Sequence, residues 1–383
     1  MERGVLPRQE IIKFIEQGII KLKNFNEKLL QPGSIDLPIG NKAYHVSSSF
    51  LPKPDEPVEK YIEQFWRGEV DLTDSKGILK KNNIYVIPIN TELNLPSNYW
   101  AQFNPKSTTG RSGLSSKVVS DGHTAFDETK GASGKIYVIA QPKAFDTKIK
   151  EGLAIGQMKL WKHQIIPLGK EVLQMYNQIN PLIHDEYDEP IPLLNDLFKN
   201  SAIKLTVDLE SDVVAYRSKA NSNLVYDLSG SRGSMNEQQE KFWEKITAPE
   251  KGQLLLEPGY FYIMGTRERV RFPRNISGTL EYIDKNAFEG YVHEAGFMDI
   301  GFGFGENGEL PATHITLEMR VFEPFTITHG QYIGKMNYEP VLNIPTDKEG
   351  KLAVYGAGIY KLSNYQAQPR GPTLGKQFLE PKK

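Results

Sequence analysis

Cysteine is absent from all 383 residues. Disulfides, thiolate nucleophiles, iron–sulfur clusters and Cys-ligated zinc are therefore excluded. Histidine is scarce. The seven residues, at 45, 123, 163, 184, 293, 314 and 329, show no His-x-x-x-His or His-Glu-x-x-His spacing, so no protein-held metal is expected. An excess of either charge is missing too: 46 Lys and Arg face 47 Asp and Glu, for a net charge of −1. That balance argues against a nucleic-acid surface and leaves room for a local basic pocket. No 18-residue apolar run occurs, and the opening Met-Glu-Arg-Gly-Val-Leu-Pro has no apolar signal core. No membrane segment is expected, and a cytoplasmic location is the default. The Asn275-Ile276-Ser277 sequon then carries no weight.

What is present is ordinary for a globular chain: 39% hydrophobic and 24% charged residues. The length predicts two domains. A short amphipathic helix opens the chain, with Pro7 at its first turn, Ile11, Ile12, Phe14, Ile15 and Ile19 as its apolar face, and Gly18 weakening its end. Further helices are expected around 169–178, 191–199 and 236–246. The remaining segments are short, rich in Val, Ile, Tyr and Phe, and bounded by Gly, Pro, Asn or Asp. This pattern predicts an all-β sandwich or barrel with minor helices.

The chain repeats itself. Ser34-Ile35-Asp36-Leu37 and Ala43-Tyr44 are echoed by Thr206-Val207-Asp208-Leu209 and Ala215-Tyr216. Asp71-Leu72 recurs as Asp227-Leu228, Tyr85 and Pro96 as Tyr262 and Pro273, and Phe126-Asp127 as Met298-Asp299. Gly152-Leu-Ala-Ile-Gly-Gln-Met recurs as Gly330-Gln-Tyr-Ile-Gly-Lys-Met. Ordered matches with a slowly drifting offset indicate a duplicated domain. The expected division is 1–165, a helical connector 166–199, and 200–383.

The copies differ where chemistry would sit. Asn104 to Gly113 places Lys106 and Arg111 around Ser107, Thr108 and Thr109, with Gly110 loosening the backbone. Such a loop surrounds phosphate oxygens with charge and donors, or it is a polar surface turn. The aligned second-copy segment reads Ile283-Asp284-Lys285-Asn286-Ala287-Phe288. Conversely, Ile315-Thr316-Leu317-Glu318-Met319-Arg320 sets one acid in an apolar strand, where the first copy has Ile136-Tyr137-Val138-Ile139-Ala140-Gln141. Each copy carries half of a site.

These residues resemble the dCTP deaminase branch of the dUTPase-like superfamily, in its long, internally duplicated bacterial form. Gln31-Pro32-Gly33-Ser34-Ile35-Asp36-Leu37 resembles that family's Gln-Pro-Ala-Ser-(Ile/Val)-Asp-Leu motif, and Asn104 to Gly113 its phosphate- and water-binding segment. Asp299-Ile300-Gly301-Phe302 resembles its Ile-Asp-Pro-Gly-(Phe/Trp) turn, Ile315 to Glu318 its catalytic strand, and Tyr360 to Thr373 the segment that folds over the triphosphate. There are departures. Lys106 replaces an arginine, Thr108 a serine and Ile300 a proline, while Lys335 stands where glutamine is common and Gln157 keeps it in the first copy. Phe297 occupies the place of a second arginine near the base, and Ile139 replaces the catalytic acid.

The resemblance implies tandem dUTPase-like domains and hydrolytic deamination of dCTP to dUTP and ammonia, feeding thymidylate synthesis. Deaminating cytosine adds water at C4 and expels ammonia, and most nucleoside deaminases activate that water with zinc. Without cysteine a carboxylate must serve. Glu318 is the candidate base and proton shuttle, its apolar neighbours raising its proton affinity, unless it faces solvent on an edge strand. Ser107 and Arg111 would orient the water and the leaving ammonia. Lys106, Thr108, Asp299, Gln157, Tyr365 and Gln368 would bind substrate, with Mg2+ carried on the triphosphate. A homo-oligomer is expected, because short relatives form sites between subunits. A dUTP diphosphatase or bifunctional enzyme using Asp127 to place water, and a non-catalytic nucleotide sensor, remain as alternatives. Gly303-Phe-Gly-Glu-Asn-Gly308 fits a dinucleotide-binding pattern, but no helix should follow it, so it reads as a glycine-rich turn. Tyr282, Tyr291, Phe297, Phe302 and Phe304 serve as stacking rings or as sandwich core.

Overall fold

Burial on both faces at Tyr85-Val86-Ile87, then alternation of buried and outward residues as far as Asn94, marks the strand Ile84–Asn94, the longest among the described residues. The computed structural model describes residues 2–74, 77–219, 223–281, 288, 290–292, 295–360 and 365–380. Ile84–Asn94 lies between Lys42–Val46 and Ser133–Pro142, with Trp66–Asp71 and Leu114–Ser120 outside them and Ile20–Leu22 at its end. Facing that sheet, Ala154–Lys162 lies between Ile35–Pro38 and Tyr99–Pro105, with Glu128–Lys130 beyond.

The second copy reproduces this graph strand for strand. Tyr262–Val270 lies between Val213–Ser218 and Thr313–Val321, flanked by Trp243–Thr247, Gly290–Val292 and Ile183–His184. Tyr332–Pro340 lies between Ala202–Thr206 and Ile276–Glu281, with Phe297–Met298 beyond. All these pairings are antiparallel. The fold is all-β with few helices, two sandwiches in tandem. The helix Lys170–Ile179 precedes Ile183–His184 as Arg8–Glu16 precedes Ile20–Leu22, so the 166–199 stretch contains second-copy sheet.

Registers test each echo. Tyr44 faces Val86 as Tyr216 faces Ile263. The Tyr85 and Tyr262 hydroxyls accept from Lys80 N and Glu257 N at 3.0 and 2.9 Å, and Pro96 and Pro273 turn alike. Gly156 faces Leu37 as Gly334 faces Leu205. Three other echoes are misaligned. Asp36 faces Gln157 where Lys204 faces Lys335, and Asp208 N bonds Gly265 O as Gly40 N bonds Pro88 O. Asp208 therefore corresponds to Gly40. A slip of four residues keeps every side chain on its own face, so alternating runs match equally well in either register. Asp71 ends a strand of the main sheet, whereas Val225–Asp227 pairs in parallel with Asp146–Lys148. Glu128 faces Gln102 where Phe297 faces Thr279, which sets Asp127 opposite Gly296 rather than Asp299.

Two expected helices are shorter than the patterns suggested. Within 191–199 only the turn Asn195–Leu197 is helical, followed by the strand Phe198–Lys199, because Pro190 and Pro192 push their predecessors out of helical geometry. Within 236–246 the helix ends at Phe242, and Trp243–Thr247 is claimed by pairing with Val213–Ser218. The helix Val58–Phe65 gave no clear signal and covers the first copy's sheet.

The two copies are sealed by a buried charge. Lys159 and Glu339 are both about fully buried, and their ion pair is 2.8 Å. The Lys159 ammonium also donates to Gly278 O at 2.5 Å and Thr279 Oγ1 at 3.3 Å, and lies 4.3 Å from the Phe297 ring centre. Thr279 Oγ1 in turn donates to Glu339 Oε1 at 2.6 Å. Removing one partner leaves the other charged in a dry interior, so Lys159→Met is expected to cost about 3–5 kcal/mol in denaturant unfolding. Lys159→Met with Glu339→Leu should recover much of that loss. A single substitution as mild as the double would show the pair to be dispensable.

Candidate active site

The Tyr99–Pro105 strand delivers its polar end directly to the seam. After Pro105 the chain makes one helical turn, Ser107–Gly110, in which Gly110 N bonds Lys106 O at 3.0 Å and Arg111 N bonds Ser107 O at 3.1 Å. Gly110 is not a loosening residue, as the sequence suggested. It permits close approach: a Cβ there would lie 2.9 Å from Glu318 Oε1 and 3.1 Å from the Ala295 methyl. The first copy's turn thus rests on the second copy's acid.

Glu318 projects from the strand Thr313–Val321, opposite Ile263, at the place Ile139 holds opposite Val86. It is 3% exposed, so it does not face solvent on an edge. The alternation of a strand sets His314, Thr316 and Glu318 on one face. All nine predicted residues (Lys106, Ser107, Thr108, Arg111, Gln157, Asp299, Glu318, Tyr365 and Gln368) line one cleft of about 290 Å³, built from both copies of a single chain. A larger groove of about 860 Å³, between the Val58–Phe65 helix and the strand Ile84–Asn94, is lined by none of them.

Arg111 is 4% exposed, and its Nη1 donates to Gln368 Oε1 at 3.0 Å and Thr373 O at 2.6 Å. Its guanidinium lies 3.9 Å from the centre of the Tyr365 ring. Burial lowers its proton affinity, which the neighbouring Tyr365 and Glu318 partly offset. The Tyr365 hydroxyl lies 2.9 Å from Thr108 Oγ1 and accepts from Lys376 N at 3.1 Å. Gln157 Nε2 donates to Pro105 O at 3.4 Å.

Lys106 is ion-paired with Asp36. Burial raises the Asp36 carboxyl above its usual range, and Lys106 only partly reverses this. Asp299 Oδ1 accepts from Gly33 N at 2.8 Å and Ile300 N at 2.9 Å, and Oδ2 from Ser34 Oγ at 3.1 Å. The second copy's Asp-Ile-Gly turn is thereby tied to the first copy's Pro-Gly-Ser turn. Burial pushes Asp299 up to about 6, against the pull of those donors and of Lys159.

Sequence reasoning missed Gln31, Asp36, Thr316, Tyr355 and Lys376. The first four line the cleft, and Tyr355 donates to Gln31 Oε1 at 2.6 Å. Lys376 is lowered by burial and by the charge of Lys106, and its backbone N–H donates to the Tyr365 hydroxyl at 3.1 Å. Gln31 and Asp36 stood in a quoted motif. Tyr355 and Lys376 had no local signal. Phe297, which stands where the resemblance places an arginine, also lines the cleft, with the Lys159 cation against its ring.

Asp127 is elsewhere. It has φ 60°, accepts from Val118 N at 2.7 Å, and is pushed up to about 7 by burial. It holds the chain before Glu128–Lys130 through its two bonds to Val118 and does not line the cleft, so the alternative that gave it a water-placing role finds no support here. Residues 301–308 form turns, with Arg271 donating to Gly303 O and Leu310 O at 3.0 Å each, and no helix follows. Tyr282, the run Ile283 to Ala287, His293 and the tail residues Ser363 and Asn364 lie outside the described residues. Among the described residues, no group of three or more His, Asp or Glu is placed to hold a metal, and no helix is long and apolar enough to cross a membrane.

The sequence matches the family model described as 2′-deoxycytidine 5′-triphosphate deaminase N-terminal domain over residues 2–164, and the corresponding C-terminal domain model over residues 170–378. No curated protein matches it closely enough to count as a relative. Among solved structures, that of 2′-deoxycytidine 5′-triphosphate deaminase from Agrobacterium tumefaciens is similar. Its TM-score is 0.79 at 28% identity, over 90% of this chain and 100% of that one.

The raised Asp299 carboxyl makes stability depend on pH. A carboxyl raised in the folded state contributes stability that is complete below about pH 4, its unfolded value, and lost as pH rises through about 6. The melting-temperature advantage of the wild type over Asp299→Asn should therefore shrink between pH 4 and pH 7. A gap that widens with pH would mean that the Gly33, Ser34 and Ile300 donors outweigh burial.

Proposed function

The chain belongs to the 2′-deoxycytidine 5′-triphosphate deaminase family, and on that premise we propose how its residues share the hydrolytic deamination of dCTP to dUTP and ammonia. The observation that carries the assignment is the contact between the Ser107–Gly110 turn of one copy and Glu318 of the other. One acid, one buried guanidinium and one serine hydroxyl then share a cleft with Lys106 and Thr108.

Glu318 takes a proton from water as the water oxygen adds to C4 and passes it to N3. It then carries the proton of the new C4 hydroxyl to the amino group, so that the C4 carbonyl forms as the C4–N bond breaks and ammonia leaves. One water is consumed and no electrons are exchanged. Ser107 and Arg111 hold the water and the leaving group, and the Arg111 charge keeps the carboxylate ionised before attack. The strap residues Tyr365 and Gln368 keep Arg111 in place and exclude bulk water, which strengthens each polar contact inside.

Lys106, Thr108, Gln157 and Lys376 support binding of the triphosphate, which would displace Asp36 as the partner of Lys106. Asp299, fixed by Gly33 and Ser34, shapes the wall where the copies meet. Magnesium, carried on the triphosphate, would neutralise phosphate charge and would be held mainly by substrate and water rather than by side chains of this chain. Without cysteine the His/Cys/Cys zinc set of other nucleobase deaminases cannot be assembled. Since one chain supplies both halves of the cleft, catalysis on this reading needs no second chain. Assembly into a cytoplasmic homo-oligomer is a separate part of the proposal, read by mass in solution.

Glu318→Gln is expected to lower ammonia release from dCTP by about 10²-fold or more while triphosphate binding persists. Near-wild-type turnover would remove Glu318 from the base role. Arg111→Ala should reduce kcat at least as much as affinity. A loss confined to KM would assign Arg111 to the phosphates.

A further inference from the structure

The segment from Tyr365 to Thr373 crosses the cleft as a strap with an unusual pair of anchors. At its base a single Arg111 nitrogen, Nη1, donates to both Gln368 Oε1 and Thr373 O, five residues apart. At its apex Arg370 forms a two-pronged ion pair with Asp208, Nε to Oδ2 at 2.6 Å and Nη2 to Oδ1 at 3.0 Å. The Asp208 side chain is fully buried and also accepts from Glu210 N at 2.9 Å. Beside the apex the strap lies flat on the sheet. A Cβ at Gly265 would lie 3.1 Å from Gly371 C, and one at Gly371 would lie 2.8 Å from Val213 O.

We propose that Arg370, held by Asp208, is a positioning residue for deamination: it pins the apex of the strap so that Gln368 and Thr373 hold the Arg111 guanidinium in its working orientation. The inference rests on the catalytic reading of Arg111. A planar guanidinium bound by both nitrogens to one carboxylate fixes direction as well as distance. The bond angles of that fork set the path of Pro369 and Gly371, and through them the two acceptors that Arg111 requires. An error of about 1 Å at a reacting group can cost about 10²-fold in rate, so an apex far from the chemistry has leverage.

Internal comparison supports a dedicated role. The first-copy counterpart of Asp208 is Gly40, by the shared bonds to Gly265 O and Pro88 O. The acid therefore occurs only in the copy over which the strap lies. Downstream, the chain is anchored independently. Leu374 and Phe378 are buried in the first core, and Gln377 donates to Leu228 O at 2.9 Å. Loss of the apex should thus loosen Gln368 and Thr373 without releasing the tail or unfolding the protein.

The test is steady-state ammonia release from dCTP by the full chain, comparing Arg370→Ala, Arg370→Lys, Asp208→Asn and the Arg370→Ala/Asp208→Asn double variant. Arg370→Ala should lower kcat by about 10-fold, with a smaller change in KM. The double variant should be no worse than the poorer single. Arg370→Lys should recover only part of the rate, because an ammonium supplies charge without the fork. Wild-type kcat in Arg370→Ala, with only a lowered melting temperature, would overturn the positioning role and leave a structural tie. If Asp208→Asn fails to fold, the two Arg370 variants decide. An active Arg111→Ala would sink the catalytic reading itself, whereas an inactive Arg111→Ala beside a fully active Arg370→Ala would sink only the strap's role.

Discussion

The buried Lys159–Glu339 pair is the constraint from which the cleft takes its shape. An ammonium and a carboxylate removed from water cost several kcal/mol each, repaid only where both are fully bonded. Here Gly278 O, Thr279 and Ser277 complete the pair, and that requirement sets the docking of one copy on the other. Lys159 lies two residues from Gln157 on the same strand, so the seam and the cleft wall are placed by one element. Phe297 stands with the ammonium near one face and is itself part of the cleft lining. Asp299 feels the same charge and ties the two copies a second time.

Duplication let the copies diverge around this seam. At equivalent positions Glu318 and Ile139 show the outcome: one face holds a buried acid, and the other joins a small apolar core with Val58 and Ile62 of the Val58–Phe65 helix. That helix arises in the link between Lys42–Val46 and Trp66–Asp71. The equivalent link of the second copy, between Val213–Ser218 and Trp243–Thr247, instead carries Tyr226 and Phe242, which pack against Phe378 beyond the strap. One link fills the face that carries Ile139. The other buttresses the segment that closes the face carrying Glu318.

Much of the site was legible before folding, and its gaps have specific causes. Lys106, Ser107, Thr108 and Arg111 are adjacent in sequence, and Glu318 is conspicuous as an acid in an apolar strand. Asp36 was seen but matched to Asp208, because a four-residue slip preserves the period-two pattern on which such matching relies. Tyr355 belongs to an irregular segment without periodicity and Lys376 to a single short turn, and the bonds of Tyr355 to Gln31 and of Lys376 to Tyr365 depend on the path of the tail. Gly110 was noticed for the wrong reason: flexibility is a property of the residue, whereas close approach belongs to its neighbour. The 191–199 segment shows the same limit, since its apolar spacing resembles a helix while two prolines forbid one.

By itself, then, the sequence determined the all-β class, the duplication, the exclusion of thiol and Cys–zinc chemistry, and the separation of basic turn and acid into different copies. These follow from composition, local periodicity and residue identity, which a linear chain displays. Only the tertiary structure decided which registers the repeats share, that residues from both copies of one chain line the cleft, and that Arg111 is held by a strap pinned at Asp208. Those facts depend on contacts between residues hundreds of positions apart. Such contacts are selected by the packing and desolvation of the whole molecule rather than by any local pattern.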